Sequence, residues 1–217
     1  MNAQRYRGLV VGMFVGDILA RQQISNRISL SRNVTEALDF ISTSNPQDES
    51  FEQNLLVALL IGARSGLSDE TSESHAIVNR AMIHLAHLAQ TDTQPIDYMT
   101  SIWQSCSGHD PLFDMTLRKI GHVLGFGSST HALRLIETSN KDATIFTMAL
   151  YCIMRYPDDF SKAMETAILV PYQAHIVASI TGGIIGWRHG HEIVSQQWRN
   201  LIERTIDIES YLRLLSV

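Results

Sequence analysis

Residues 173–190 read QAHIVASITGGIIGWRHG, and within them Ala174, Ala178, Gly182, Gly186 and Gly190 recur at every fourth position. On a helix that spacing lays the small residues along one face. A glycine inside a helix costs about 0.5–1 kcal/mol relative to alanine, so several in register need an offsetting gain. Close approach of another helix is such a gain. Residues 5–20, RYRGLVVGMFVGDILA, carry the same design, with Gly8, Gly12, Gly16 and Ala20 again four apart. Both stripes are therefore expected to face other helices at short distance, with each other among the candidates.

Outward from these two segments, apolar residues recur at three and four positions and nowhere alternate with period two for long. The expected fold is all-α, a compact single-domain multi-helix bundle over residues 1–217. A first helix is expected over about residues 4–21. Asn33 with Glu36 reads as a capping box for a second, whose inner face carries Val34, Ala37, Leu38 and Ile41. TSNPQDES at 43–50 reads as a loop, residues 52–61 as a buried helix ended near Gly62, and 75–89 as an amphipathic helix. Pro95 is placed to open a helix ending near Gly108, and Pro111 opens the next. Asn140 is placed to cap the apolar 145–154 segment, and residues 160–170 continue helically to Pro171. Segments 173–189 and 192–215, the latter with a break, complete the chain.

With 217 residues, 45% of them hydrophobic, one substantial core is within reach. A net charge of −5 without any lysine or arginine block leaves no electrostatic footprint for nucleic acid or an anionic membrane. The longest apolar stretch, residues 176–187, is twelve residues against the roughly twenty that a membrane span needs. The opening MNAQRYRG is followed by an apolar run broken by Gly12, Gly16 and Asp17, which is not a signal-peptide pattern. Cys106 and Cys152 have no framework spacing and suit a reducing compartment, so the expected location is cytoplasmic. Charged residues make up 18% of the chain, below the roughly 25% of typical proteins, which is compatible with a homodimer.

Candidate constellations are incomplete. His84 and His87 are three apart on a helix but lack a third metal ligand, and they read as partly exposed helix residues. Cys106 and His109 suggest a thiol and its base, with a buried cysteine beside a turn histidine as the favoured reading. His189 and His191 suit the negative end of a helix. GHVLGFGSS at 121–129 is glycine-rich, yet no strand precedes it and no Walker lysine follows, so it does not read as a phosphate cradle. Asp17, a carboxylate within an apolar helix, must be paired, face a cavity or reach solvent, the last being the commonest case for a single acid.

Residues 5–20 resemble the N-terminal signature of the ADP-ribosylglycohydrolase family, an arginine followed by a glycine-spaced apolar helix and Gly-Asp. Residues 177–190, VASITGGIIGWRHG, resemble its C-terminal signature. The resemblance implies an all-α fold and hydrolysis of the glycosidic bond that joins ADP-ribose to a side chain or small acceptor. It also implies two magnesium ions held between a Thr-Asp-Asp-Thr motif and an Asp-x-Asp-Thr or Ser motif, because magnesium prefers hard oxygen ligands. Counting back from Val177, the second motif falls on Gln173, Ala174, His175 and Ile176, with neither carboxylate. The first motif is placed on Ser31, Arg32, Asn33 and Val34, where a cation and an amide replace the acids. The family's Asn-Gly-x-x-Met-Arg substrate loop has no counterpart, and residues 54–74 read as its shortened remnant.

The expectation is a pseudoenzyme that has lost its metal site, with no cofactor, acting as a binding, scaffold or regulatory module. Two alternatives stand beside it. One is a hydrolase with a rebuilt, magnesium-independent site drawing on Asp17, Glu36, Asp39 or His175, although glycoside hydrolysis usually needs two carboxyl groups at a set separation. The other is a non-catalytic sensor of an ADP-ribose-like ligand. The ligand pocket is expected at Asp17, Arg32, Asn33, Gln173 and His175. Arg32 is expected to point into the former metal cavity within reach of Asp17 or Glu36, against the alternative of a solvated arginine ahead of a helix.

Overall fold

The computed structural model describes residues 3–22, 30–43, 55–65, 77–91 and 93–215. Among them all regular structure is helical. In chain order the helices are α1 (Ala3–Gln22), α2 (Arg32–Thr43), α3 (Leu55–Ser65), α4 (Ile77–Gln90), α5 (Tyr98–Cys106), α6 (Pro111–Val123), α7 (Ser129–Ile136), α8 (Lys141–Arg155), α9 (Phe160–Ala167), α10 (Ala174–His189), α11 (Gln196–Thr205) and α12 (Ile208–Leu215). None of the described helices is long and apolar enough to cross a membrane.

The centre is the pair α1 and α10. Each is apolar nearly all round and buried over most of its length, as a helix must be when it has neighbours on every side. Gly8 lies against Gly186, Gly12 against Gly182, and Gly16 against Ala178, so the two helices run antiparallel with their backbones in contact. A Cβ placed on Gly12 would overlap the carbonyl of Gly182, and one placed on Gly182 would overlap that of Gly12. The two small-residue stripes thus meet each other. Around α10 pack α3, α4, α8 and α9, and around α1 pack α2, α11 and α12.

Helix starts follow local chemistry. Asp110 accepts from the N–H groups of Leu112 and Phe113 at 2.8 and 3.2 Å, with Pro111 in the first turn of α6. Asn140 caps α8 through the Ala143 N–H at 3.1 Å, as expected. The helix expected from Pro95 opens as a 3-10 turn, Pro95–Asp97, and continues as α5. Helix α9 stops at Ala167, earlier than residue 170, and the break in the C-terminal segment falls between α11 and α12.

Two further boundaries differ from the sequence reading. The cap of α2 is Ser31, not Asn33: the Val34 N–H donates to Ser31 Oγ at 3.4 Å and the Thr35 N–H to the Ser31 carbonyl at 3.1 Å. Helix α3 runs through Gly62 to Ser65. Gly62 is there for helix crossing and not for termination, since an added Cβ would stand 2.8 Å from the Ile83 carbonyl oxygen on α4. Residues 44–54 and 66–76, which include most of the expected loop, the two ends of the substrate-loop remnant and His75, lie outside the described residues, while the middle of that remnant is α3.

Candidate functional site

Antiparallel pairing brings the last turns of α1 to the first turn of α10, and the Ser31 cap brings the start of α2 to the same place. Asp17 follows Gly16, whose backbone is pressed against Ala178, and it is 0% exposed. The solvated reading of this acid is therefore wrong. Its Oδ2 accepts the main-chain N–H of Ser31 at 2.5 Å, while Oδ1 is buried and has no hydrogen-bond partner among the described residues. Burial pushes the Asp17 pKa up from 3.8, and the bonds from Ser31 with the charges of His175 and Arg21 partly oppose that rise.

His175 sits in the first turn of α10, half-buried. Burial pushes its pKa down from 6.5; the carboxylate of Asp17 resists the change and Arg21 adds to it. Asn33 Nδ2 lies 3.3 Å from His175 Nε2, the amide donating to the imidazole nitrogen. The Ser179 hydroxyl donates to the His175 carbonyl at 2.7 Å and fixes the turn. Asp17, Ser31, Asn33 and His175 thus form one cluster, joining positions where the two acidic motifs were placed. Gln173 precedes it in the left-handed region, with φ 51° and ψ 37°, and its side-chain amide donates to the Tyr172 hydroxyl at 3.3 Å.

Arg32 is elsewhere. Its side chain is 87% exposed, and its Nε donates to Glu36 Oε1 at 2.5 Å across one helical turn. The expectation that it enters a former metal cavity is overturned, because Ser31, Val34, Ala37 and Leu38 take the inner face of α2 and leave Arg32 and Glu36 outside. The reach to Glu36 is real but lies on the surface. Asp39 is exposed as well.

The other constellations serve packing. Cys106 is buried and its thiol pKa is pushed up to about 11, chiefly by burial, while His109 is exposed. His84 Nε2 hydrogen-bonds Ser101 and Ser105 on α5 at 3.0 and 3.3 Å. The His189 ring donates to the Pro157 carbonyl at 2.9 Å. In the glycine-rich loop, the carbonyls of Leu124 and Phe126 accept from the Arg155 guanidinium at 2.7 and 3.3 Å.

The family model for ADP-ribosylglycohydrolase matches residues 33–217. The chain belongs to the ADP-ribosylglycohydrolase family. The matched region begins at Asn33, so it contains Asn33, Gln173 and His175 but not Asp17 or Ser31. Among curated proteins no relative matches. Ser31 is the residue that sequence reasoning undervalued: it entered only as a motif position, although Ser-Arg-Asn before an apolar-periodic run offers two cap-forming side chains two residues apart.

Proposed function

We propose that this ADP-ribosylglycohydrolase family member is catalytically silent and acts as a binding, scaffold or regulatory module in the cytoplasm. The observation that carries the reading is the donor set at the two motif positions. Magnesium takes six oxygen ligands in near-octahedral geometry and is usually bound through one or two carboxylates. The cluster offers one carboxylate, Asp17, whose Oδ2 is already taken by Ser31, together with an amide and an imidazole that face each other. Among the described residues no group of three or more His, Cys, Asp and Glu side chains is placed to hold a metal. These residues do not fit a magnesium pair.

The rebuilt-hydrolase alternative needs a second carboxyl near Asp17, and the two carboxylates named for it, Glu36 and Asp39, both lie on the exposed side of α2. The sensor alternative is favoured by Asp17 Oδ1, which has no partner among the described residues and suits a ligand hydroxyl or amine. One experiment separates the three. Purified protein is assayed for ADP-ribose release from arginine- and serine-linked substrates with and without magnesium, and for ADP-ribose binding by calorimetry. Absence of both supports a scaffold, binding alone a sensor. Turnover lost on Asp17→Asn overturns the silent reading.

A further inference from the structure

Asp17 and Leu19 stand about 200° apart around α1, so they face opposite sides of that helix. On the Leu19 side, α9 and the start of α11 enclose a cavity of about 150 Å³, distinct from the cluster around Asp17. Asp159 caps α9 by accepting the Lys162 N–H at 3.0 Å, and Phe160 and Met164, four residues apart, share the inner face of that helix. With Leu19 and the half-buried Trp198 they form the apolar wall. The polar groups are the hydroxyls of Ser161 and Ser195 and the carboxylate of Glu165.

Glu165 is the one charged residue of this lining, and it has no ion pair or hydrogen bond among the described residues. The neighbouring cations are engaged elsewhere. Lys162 is held by Asp159 at 2.8 Å, with Glu165 the weakest of the influences on it. Arg199 donates to Gln196 at 2.7 Å, and Arg21 acts on Asp17 and His175. Trp103, Tyr172 and Tyr156 each carry a cation over the ring, whereas among the described residues none stands over Trp198. Ser195 precedes α11 without its side chain capping it, which leaves the hydroxyl available. An aromatic and apolar wall beside an uncompensated carboxylate attracts a cation with a weakly hydrated, methylated surface. The volume, below the roughly 300–1,000 Å³ of drug-sized pockets, restricts that cation to a small one.

We propose that this cavity binds a small hydroxylated trimethylammonium solute, of which choline is the simplest, with its methyl groups against Trp198, Phe160 and Met164, its charge balanced by Glu165 and its hydroxyl toward Ser195. The probe is choline, followed through its methyl proton signal on titration with the full chain, beside its neutral tert-butyl analogue, in which carbon replaces nitrogen. Choline should bind saturably, and the neutral analogue about tenfold more weakly, as expected for a cation against an aromatic face. Glu165→Gln should weaken choline about threefold and leave the neutral analogue unchanged, the size of an exposed charge contact. Trp198→Leu should weaken choline about tenfold and Trp198→Phe less, so the phenylalanine variant carries the test if circular dichroism shows the leucine variant unfolded. Unsaturable binding, equal affinity for the neutral analogue, or unchanged choline affinity in Glu165→Gln overturns the proposal. Tighter binding of phosphocholine or of trimethyllysine methylamide also overturns it, because the cavity then belongs to a lipid headgroup or a modified side chain.

Discussion

Gly12 and Gly182 face each other across α1 and α10 so closely that a Cβ on either would overlap the other's carbonyl. No rotamer choice relieves an overlap with backbone. Gly12→Leu and Gly182→Leu are therefore expected to destabilise by several kcal/mol, at or above the roughly 1–3 kcal/mol of ordinary overpacking. Urea denaturation of the two variants checks this, and unchanged midpoints would remove the packing explanation for the stripes.

Arg32 leads to the opposite expectation. A cation compensating a buried carboxylate would cost about 3–5 kcal/mol on removal, but an 87% exposed arginine in a one-turn ion pair contributes little. Arg32→Ala should change stability by less than about 0.5 kcal/mol. A thermal melt measures it directly, and a loss of several kcal/mol would contradict the outward placement.

Asp17 and His175 should each make stability depend on pH, with opposite slopes. The Asp17 pKa is raised in the folded chain, so between 3.8 and its folded value the native state holds more protons than the unfolded state. Stability falls as pH rises through that window and stays lower above it. Asp17→Asn should therefore gain on the wild type across the same window and then hold a constant difference. The His175 pKa is lowered, so the unfolded state binds more protons between the folded value and 6.5. Stability rises with pH up to 6.5, and His175→Gln should flatten that rise. Denaturation midpoints from about pH 3 to pH 8 test both, and an Asp17→Asn difference independent of pH would mean that the carboxyl is not desolvated.

Restoring the lost acids tests the reading of the motif positions. Asn33→Asp, Gln173→Asp and His175→Asp together would place three more carboxylates around or beside Asp17, a set suited to hard divalent cations. The triple variant is expected to bind magnesium measurably tighter than the wild type by calorimetry, and to lose stability without the ion because its carboxylates repel one another. Equal magnesium affinity in the two proteins would show that these positions do not converge as a metal site.

Local chemistry in the sequence was enough for the all-helical class, for the Asn140 cap and for both small-residue stripes, because each depends on residues within a few turns of one another. The inner face of α2 was legible too, since Val34, Ala37 and Leu38 recur with the helical period. What tertiary structure decided is where that helix begins. With Asn33 as cap, Arg32 would precede the helix and be free to turn inward. With Ser31 as cap, Arg32 is already helical and stands about 200° around from Val34, facing solvent. Asp17 decides that choice, because its buried Oδ2 takes the Ser31 N–H from a helix whose depth is set by Gly16 pressing on Ala178. That contact joins residues on three different helical segments, and no periodicity within one segment encodes it.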